Sequence, residues 1–400
     1  MNICMVSEDY DPSIAGVGVH LQNLVPELKA RGHNIVVITS RKRHQPGISS
    51  APGLTIYRNF SIPVSGFRHS VTTSRDLKTI LHRHNIDVVH VHFLSYMAVQ
   101  AVHAAKKLGI KAMYTYHMAE EILTSPFRWL PRVQSMISRQ IVRFCNKFDL
   151  ITFPSQRLLE TTRAKGVSAN CVFLGNAIAF QNSVSTPRPP RENRFTLLFV
   201  GRLSPEKNLA FLIRVFRIVL LNHPGAELWL AGDGPIREQL KGIATQLGIE
   251  SKVSFLGYIP NAELPQYYDQ ADAFVLPSFF ETQGMVCIEA MHFGKPLLVS
   301  SGIVSREELV DQGRNGFIFD PKNGADLLQW IDVLITRPEL RLQMSRNSRL
   351  KASSFSLDAV VSSHEETYQR LVSATSGARA GQIAEIERPL HETLPLAAAK

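Results

Sequence analysis

The 400-residue sequence predicts an α/β protein built from two doubly wound halves that face each other across a hinge. Three observations carry this prediction. Short apolar runs alternate with amphipathic stretches, and few of these runs show the strict apolar–polar alternation of half-exposed strands, which is typical of parallel strands covered on both faces. The pattern also stops at a proline-rich stretch and then starts again. A composition of 44% hydrophobic and 20% charged residues is that of an ordinary globular protein.

The first half contains seven predicted strands and a well-marked first helix. The helix is predicted at 19–31, where apolar residues recur at helical spacing before Gly32, a residue that commonly follows a helix end. The strands are predicted at 2–6, 34–40, 54–60, 88–93, 111–117, 150–155 and 172–177.

The pattern breaks at residues 181–193, where three prolines and few large apolar residues predict a linker. After it, a last amphipathic helix is predicted at 356–371, and strands are predicted at 195–201, 227–232, 253–258, 273–278, 296–301 and 316–319. These boundaries predict a first domain over 1–180, a second domain over 194–352, a closing helical segment over 353–372 and a mobile tail over 373–400.

Cysteine usage and the first residues exclude several classes of protein. Cys4, Cys145, Cys171 and Cys287 lie far apart, with no CxxC pair and no histidines at zinc-ligand spacing, so we expect reduced thiols and a cytoplasmic chain. The first residues carry acids where a secretory signal needs a basic and then an apolar run. No apolar stretch approaches the roughly 18 residues of a membrane-spanning helix.

Positive charge is concentrated in the first half of the chain. Residues 1–190 contain 22 Lys and Arg against 10 Asp and Glu, whereas residues 191–400 contain 22 against 24. Such an asymmetry indicates a polyanionic partner for the first half. Nucleic acid, an anionic membrane surface and an anionic substrate all fit this charge.

Two glycines precede the first predicted helix, at a place where a doubly wound sheet can bind a ligand. Gly16 and Gly18 would let backbone N–H groups approach a phosphate. Their spacing is close to that of a dinucleotide-binding loop, but Leu21 stands where the third glycine would be. Arg41 and Arg43 follow the second strand, where an NADP-dependent enzyme binds the 2′-phosphate. An NADP-dependent dehydrogenase is therefore one alternative, and a tight structural loop is another.

The second half carries a more specific set of motifs. Arg202 and Lys207 lie between a predicted strand and a helix, where two cations five positions apart can bind a diphosphate with help from the helix dipole. By itself, this pattern also fits a solvated turn. A Gly-rich strand end follows at 231–235, and the next one, at Gly257 and Tyr258, offers backbone groups to a planar base.

Two glutamates eight positions apart complete this set. Glu281 is predicted in a loop, and Glu289 in a helix that opens at Gly284 with free N–H groups suited to phosphate. A glutamate in the otherwise apolar stretch 285–291 is costly to bury unless a donor bonds to it. The paired hydroxyls of a ribose are suitable donors.

Together these motifs resemble those of the retaining glycosyltransferases of family four. The resemblance rests on Gly-Arg-Leu-x-x-Glu-Lys-Asn at 201–208, Gly-Asp-Gly-Pro at 232–235 and Glu-x7-Glu-Ala-Met-x-x-Gly-x-Pro at 281–296, and it covers about residues 1–372. It implies the glycosyltransferase-B architecture, in which two Rossmann-like domains face each other across a cleft and a closing helix crosses back onto the first domain. It also implies a nucleotide-sugar donor, with a UDP-sugar favoured, a hydroxyl acceptor, and neither a metal ion nor another cofactor.

The resemblance implies roles for individual residues. Arg202 and Lys207 would neutralise the departing diphosphate. Glu281 would bind hydroxyls of the donor sugar and Glu289 the ribose, while His117 matches a histidine that lies near the transferred sugar. Since no residue is an obvious covalent nucleophile, substitution on one face of the sugar with retention is implied. The implied catalytic and donor-binding residues are Gly16, Gly18, His117, Arg202, Lys207, Gly257, Tyr258, Glu281, Gln283, Gly284, Met285, Val286 and Glu289.

A basic segment in the first half bears on the acceptor. Residues 126–147 carry five positive charges and no acid. In a helix, the basic residues fall near one face and the apolar residues near another, which fits either a membrane-surface helix or an ordinary helix docked on the sheet. The excess charge of the first half favours anionic lipid head groups. The predicted membrane-contact residues are Arg128, Trp129, Arg132, Arg139, Arg143 and Lys147.

The motifs Glu281-Thr-Gln-Gly284 and Thr115-Tyr-His-Met-x-Glu120 resemble those of the glycolipid-forming branch of the family. The favoured function is therefore transfer of a hexose to a lipid such as diacylglycerol, by a peripheral enzyme at the inner face of the cell membrane. A cytosolic enzyme with a soluble acceptor is the second alternative. An NADP-binding or nucleic-acid-binding protein is a distant third because it leaves the paired glutamates and cations unexplained, so we expect no nucleic-acid partner.

Overall fold

The computed structural model describes residues 1–10, 16–42, 44–64, 67–117, 129–176 and 194–373. The chain divides into two compact units. The first contains Met1–Ala177 together with Val360–Lys400, and the second contains Ile178–Ala359. The predicted linker at 181–193 and the predicted tail beyond residue 373 lie outside the described residues.

The first unit is built on an eight-stranded sheet with the order β10-β9-β8-β7-β1-β2-β4-β3, in which only the β3–β4 pair is antiparallel. A separate antiparallel hairpin is formed by β5 and β6. The strands are β1 (Asn2–Val6), β2 (Asn34–Ser40), β3 (Ile48–Ala51), β4 (Leu54–Asn59), β5 (Ser61–Val64), β6 (Phe67–Ser70), β7 (Val88–Val91), β8 (Lys111–Thr115), β9 (Leu150–Phe153) and β10 (Asn170–Phe173).

Helices connect the parallel strands of the first unit, and the last helix of the chain also packs on it. Hydroxyl side chains cap the starts of several helices. For example, the Ser95 hydroxyl accepts a hydrogen bond from the amide of Ala98 at 3.2 Å. Of the helices that the structure describes in either unit, none combines the length and apolar character needed to cross a bilayer. The helices of this unit are α1 (Gly16–Ala30), α2 (Ser74–Arg83), α3 (Tyr96–Lys107), α4 (Pro131–Cys145), α5 (Gln156–Ala164) and α13 (Leu357–Ser373).

The second unit contains a six-stranded, fully parallel sheet with the order β13-β12-β11-β14-β15-β16. Its strands are β11 (Phe195–Val200), β12 (Ala226–Ala231), β13 (Val253–Gly257), β14 (Ala273–Leu276), β15 (Leu297–Ser300) and β16 (Gly316–Phe319). Its helices are α6 (Leu209–Asn222), α7 (Arg237–Gln246), α8 (Leu264–Gln270), α9 (Met285–His292), α10 (Arg306–Leu309), α11 (Gly324–Thr336) and α12 (Pro338–Ala352).

The central strands explain why the apolar runs lack alternation. Every residue of β11 is buried, as is every residue of β14 and β15, because helices cover both faces of the sheet. The predicted α/β class with two doubly wound units is confirmed, and β1, β2 and β16 have the predicted bounds. Most other predicted strands extend one or two residues too far at their carboxyl ends, where the chain leaves the sheet.

The peripheral strands of the first unit were missed by the sequence prediction. Neither β3 nor the β5–β6 hairpin has a continuous apolar run: β3 reads Ile-Ser-Ser-Ala, and β5 contains Pro63. These strands lie at a sheet edge or outside the main sheet, where burial of both faces is not required. The strand predicted at 172–177 begins two residues too late, because β10 begins at Asn170.

Gly232 lies where the ends of β11 and β12 approach most closely. It has a φ of 137°, and its amide donates to the carbonyl of Gly257 at 2.7 Å. A Cβ at this position would lie 1.9 Å from the carbonyl oxygen of Gly201. Only glycine therefore fits here without moving the backbone of a neighbouring strand.

We expect Gly232→Ala to destabilise the second unit by at least about 3 kcal/mol, since both the positive φ and the backbone overlap must be relieved. The midpoint of urea-induced unfolding measures this change. Gly242→Ala is the matched control: it lies within α7 with no atom within 4 Å of its added Cβ. It should stabilise the chain by about 0.5–1 kcal/mol, and equal behaviour of the two variants would contradict the packing argument.

Candidate functional site

The strand order of the second unit reverses direction between β11 and β14, which creates a topological switch point. The loop that follows β11 contains Arg202 and Lys207, and the loop that follows β14 contains Glu281. A backbone hydrogen bond joins the loops, from the amide of Phe279 to the carbonyl of Glu206 at 2.9 Å. The sheet therefore brings together two motifs that are some 70 residues apart in sequence, at the place where doubly wound sheets bind ligands.

Lys207 and Glu281 form an ion pair across this switch point, between Nζ and Oε2. Both side chains are largely shielded from water, with 16% and 28% of their surfaces exposed. A charge pair in such surroundings is screened less than one on the surface. Sequence reasoning assigned these residues to separate tasks and did not predict that they contact each other.

Arg202 lies at the same edge with a different character. Its side chain is exposed, and it forms no hydrogen bond or ion pair with any residue in the described part of the chain. Its position is determined by the backbone of the loop, in which the amide of Leu203 donates to the carbonyl of Asp233 at 2.9 Å. The guanidinium is therefore available to bind a planar or bidentate anion.

The loop after β14 leads into the start of α9. Gly284 precedes the helix with a φ of 68°, a conformation that costs glycine little. Gln283 is 5% exposed, and its carbonyl accepts a hydrogen bond from the Ser305 hydroxyl. The first amides of a helix have no partner within it, so those of Met285 and Val286 are suited to an anion or a hydroxyl oxygen.

Glu289 lies on α9, one turn beyond these amides, and is half-buried. Its Oε2 accepts a hydrogen bond of 2.7 Å from the hydroxyl of Tyr268, a fully buried residue of α8. Burial raises the pKa of the Glu289 carboxyl from 4.5 to about 7, although the Tyr268 hydrogen bond acts in the opposite direction. The sequence indicated that this glutamate needs a donor, and Tyr268 supplies one that sequence reasoning missed.

Gly257 and Tyr258 lie at the carboxyl end of β13, at the same edge of the sheet. Gly257 has a φ of 73°, and Tyr258 is 64% exposed. The donor-binding residues predicted in the second unit thus all follow the carboxyl ends of β11, β13 or β14. Sequence predicted this clustering because parallel strands end at a common edge.

In the first unit, residues that follow the adjacent strands β1, β7 and β8 lie at the carboxyl edge of the sheet. Gly16 and Gly18 were predicted to precede the first helix, but α1 begins at Gly16, so both lie in its first turn. This turn still presents unpaired amides, since the first four N–H groups of a helix lack intrahelical partners. His117 lies two residues beyond the end of β8, whereas the sequence predicted it as the last residue of that strand.

His117 belongs to a group of histidines that sequence reasoning did not find. Its Nε2 lies 3.2 Å from Nδ1 of His92, and its ring centroid lies 5.2 Å from that of His20. Burial, together with the nearby His364 on α13, lowers the pKa of His117 from 6.5 to about 3. At neutral pH this imidazole is uncharged, so it can donate or accept a hydrogen bond but cannot act as a cation.

The predicted basic segment forms α4, which combines features of both interpretations offered by the sequence. Ile141 and Phe144 are buried against the rest of the first unit, so this apolar face is not available to enter a membrane. Arg132, Arg139 and Arg143 are exposed and form no ion pair among the described residues. Lys147 is exposed but lies beyond the helix end, and Arg128 lies outside the described residues.

Exposed apolar side chains accompany these charges. Trp129 is 69% exposed and Leu130 48% exposed, just before the start of α4, and Met136 is 57% exposed on the helix itself. The exposed face of α4 is therefore basic, as the predicted contact residues require, with Trp129 and Leu130 exposed just before the helix and Met136 exposed on it. Sequence periodicity alone could not tell which face the sheet covers.

The raised pKa of Glu289 predicts a pH-dependent stability. A carboxyl with a higher pKa in the folded state than in the unfolded state loses stability as the pH rises through the folded value. Between pH 4.5 and pH 7, this amounts to up to about 3 kcal/mol. We expect Glu289→Gln, which cannot ionise, to gain stability relative to the wild type as the pH rises from 5.5 to 8.5.

Urea unfolding at several pH values measures this difference. Glu250→Gln, at an exposed position outside the site, is the matched control and should differ from the wild type by the same small amount at each pH. A pH-independent difference for Glu289→Gln would show that this carboxyl is not held in an unfavourable ionised state.

Comparison with known families assigns both units. The family "Glycosyltransferase Family 4" matches residues 14–181, and the family "Glycosyl transferases group 1" matches residues 182–351. Together the two matches cover most of the chain, and they meet at the stretch predicted to be a linker.

Characterised relatives differ in what they make. The chain is 25% identical to an alpha-monoglucosyldiacylglycerol synthase of Acholeplasma laidlawii, over 93% of this chain and 98% of that protein. It is 28% identical to a glycogen synthase of Mycobacterium tuberculosis, over 92% and 94% of the two chains.

Solved structures share the fold. A sucrose-phosphate synthase from Thermosynechococcus elongatus superposes with a TM-score of 0.76 at 17% identity, covering 93% of this chain and 99% of that one. The Anabaena protein HepE, solved in complex with UDP-glucose, superposes with a TM-score of 0.70 at 19% identity, covering 92% and 100%. From its two family matches and its fold, the chain belongs to the family-four glycosyltransferases of the glycosyltransferase-B fold, as its motifs implied.

Proposed function

We propose that this glycosyltransferase transfers a hexose from a UDP-sugar to a lipid hydroxyl, such as that of diacylglycerol, with retention of the anomeric configuration and without a metal ion. The single observation that carries the donor half of the proposal is the Lys207–Glu281 ion pair at the switch point, beside the exposed Arg202. It places two cations and a carboxylate at one sheet edge. The binding of UDP-glucose by HepE supports a nucleotide-sugar donor.

In the proposed reaction, Arg202 and Lys207 bind the diphosphate and neutralise the charge that grows on it as it departs. The ion pair holds the Lys207 ammonium in place before the donor arrives, so little reorganisation is needed. Glu281 accepts hydrogen bonds from hydroxyls of the sugar. The amides at the start of α9 and the side chain of Gln283 bind the sugar or the phosphate.

Glu289 accepts hydrogen bonds from the ribose, and the exposed Gly257–Tyr258 strand end lies against the base. Tyr268 orients the Glu289 carboxylate through its 2.7 Å hydrogen bond. In the first unit, the neutral His117 is assigned to a hydroxyl of the transferred sugar, and the first turn of α1, with Gly16 and Gly18, is assigned to the donor phosphate.

The bond between the anomeric carbon and the phosphate oxygen breaks, and the acceptor oxygen bonds to the same face of that carbon. The acceptor proton passes to an oxygen of the departing phosphate. No covalent enzyme intermediate forms. The chemistry relies on positioning and on charge neutralisation by protein side chains rather than by a metal ion.

The acceptor half of the proposal rests on α4 and on the relatives. The unpaired arginines on the outer face of this helix suit an anionic membrane surface, and Trp129 suits the interfacial region. The similarity to alpha-monoglucosyldiacylglycerol synthase supports a lipid acceptor. The proposed location is therefore peripheral, at the cytoplasmic face of the cell membrane.

A soluble glycan acceptor is the second candidate, favoured by the similar identity to a glycogen synthase. Family membership leaves the dehydrogenase alternative and the nucleic-acid alternative without support. One experiment separates the two acceptor classes: the full chain is incubated with UDP- and GDP-sugars, and with either diacylglycerol vesicles or soluble glucans. Mass spectrometry identifies the product, and NMR gives its anomeric configuration. A glucan product, or an inverted linkage, would overturn the respective part of the proposal.

We expect Lys207→Ala and Glu281→Ala each to lower the turnover number by about 10²-fold, since one charge-assisted contact to the transition state is worth on the order of 3 kcal/mol. Because the two residues form one ion pair, the double variant should lose much less than the product of the single effects. Steady-state kinetics with the identified donor measures both quantities.

A second lysine–glutamate pair on the same unit provides the matched control. Lys241 Nζ lies 2.9 Å from Glu238 Oε1 on α7, with both side chains exposed. Lys241→Ala and Glu238→Ala should leave the turnover number unchanged. Equal rates in the Lys207 variant and the Lys241 variant would refute the assigned diphosphate site.

The membrane proposal predicts a charge-dependent affinity. Each Lys or Arg near an anionic surface contributes about 1 kcal/mol. Replacing Arg132, Arg139 and Arg143 together with Gln should therefore weaken binding to phosphatidylglycerol vesicles by about 3 kcal/mol, or two orders of magnitude. Binding of the wild type should also fall as salt is raised. Vesicle sedimentation measures both effects.

A variant of equal charge distinguishes this surface from net charge alone. Arg314, Arg337 and Arg346 are exposed on the second unit, and replacing these three with Gln should leave vesicle binding unchanged. If the two triple variants bind equally, or if the wild type does not bind vesicles at all, α4 is an ordinary structural helix.

A further inference from the structure

Three histidines in the first unit come together from the carboxyl ends of three neighbouring strands. His20 lies on α1, which follows β1; His92 directly follows β7; and His117 follows β8. These strands are adjacent in the sheet, in the order β8-β7-β1. Each histidine offers a ring nitrogen within 4.8 Å of those offered by the other two.

Two of these histidines have buried ring nitrogens that lack a partner. His20 and His92 are each 1% exposed. Among the described residues, neither Nδ1 nor Nε2 of His20 has a hydrogen-bond partner, and Nε2 of His92 lacks one as well. Burying a polar atom without a hydrogen-bond partner is unfavourable. Whichever nitrogen His20 offers to the other two rings lacks a partner among the described residues, which indicates a ligand that bonds to imidazole nitrogens.

The surrounding histidines differ in how their ring nitrogens are satisfied. His90 lies in the same cluster, but its ring nitrogens contact the Tyr368 hydroxyl and the Thr115 hydroxyl, each at 2.7 Å. His364 donates from Nδ1 to the carbonyl of Val360 at 2.8 Å, and its Nε2 lacks a partner among the described residues. A hydrogen-bonding role accounts for both nitrogens of His90 but for neither nitrogen of His20.

We propose that His20, His92 and His117 bind a divalent transition-metal ion of the zinc class. Three imidazoles without a carboxylate form a ligand set that suits zinc, cobalt, nickel or copper and is unsuited to magnesium or calcium. Metal–nitrogen bonds of about 2.0–2.1 Å in tetrahedral geometry require nitrogens about 3.3 Å apart. The pair His92 Nδ1 and His117 Nε2 already lies at 3.2 Å, so small side-chain rotations complete the site.

The protonation state of the cluster favours this binding. Burial holds the pKa of His20 and of His92 well below 6.5, and that of His117 at about 3. The rings are therefore neutral at physiological pH and can bind a metal ion without first releasing a proton. His117 is half-buried, whereas the other two rings are buried.

Such an ion regulates the enzyme rather than serving its chemistry. It binds His117, the residue that the proposed function assigns to the donor sugar, so metal binding inhibits transfer. The binding itself does not depend on the proposed function; only the inhibition does. The two can therefore fail separately.

Metal binding is tested first, on the full chain after removal of metal with EDTA. Equilibrium dialysis against Zn²⁺ should leave about one tightly bound ion per chain, and Co²⁺ should give the intense visible absorption of a tetrahedral complex. His20→Gln and His92→Asn, which approximate the original volumes, should each weaken binding by more than about 100-fold and abolish the cobalt spectrum. Excess Mg²⁺ should not compete.

His103→Ala is the matched control, because His103 is exposed on α3 and lies outside the cluster. It should bind zinc as the wild type does. Thermal unfolding in EDTA verifies that each variant is folded. If His20→Gln and His92→Asn fold and still bind zinc with wild-type affinity, or if no tight ion binds to the wild type, the proposed site is wrong.

Inhibition is measured separately with the identified donor and acceptor. Zinc at one equivalent above the enzyme should suppress transfer, EDTA should restore it, and the EDTA-treated enzyme should be fully active. Tight zinc binding at the three histidines without inhibition would uphold the metal site and remove His117 from the proposed mechanism.

Discussion

The residues assigned to the donor site in the second unit emerge from carboxyl ends of strands, because all six strands of that sheet run parallel. This parallel arrangement determines which loops of the second unit lie side by side. It brings the loop with Arg202 and Lys207 beside the loop with Glu281, with strand order reversing between them. Arg202 and Lys207 come from one loop and Glu281 from the other, so both loops contribute to the assigned donor site. The ion pair joins them.

Charge is handled differently in the two units. In the second unit, the opposite charges of Lys207 and Glu281 pair in a partly shielded place, which holds the lysine side chain in position. Glu289, by contrast, is held by a neutral phenol, so its burial is only partly compensated. In the first unit, burial keeps a cluster of histidines uncharged instead. The second unit thus presents cations and a carboxylate at its sheet edge, whereas the first unit presents uncharged imidazoles.

Much of the fold could be predicted from the sequence, because strands buried on both faces leave long apolar runs that few other structures produce. The peripheral β3, β5 and β6 could not be, since their sequences are polar or contain proline. The motif residues Arg202, Lys207, Glu281 and Glu289 were found through spacing within short segments. The residues that contact them in the fold could not be found in this way. Tyr268 and the histidines around His117 are joined only by the fold, across gaps of about 20 to 250 residues for which no periodicity gives a signal.

The last helix has a consequence for synthesis. In α13, Glu365 bonds to Arg31 and His33 at 2.6 and 2.7 Å, and Tyr368 closes over the buried His90. The first unit thus takes its final element from residues made after Ile178–Ala359, the whole of the second. At ribosomal speeds of about 5–20 residues per second, this interval lasts roughly 10 to 40 s. His90 therefore gains the hydrogen-bond partner of its Nδ1, the Tyr368 hydroxyl, only after the second unit has been synthesised.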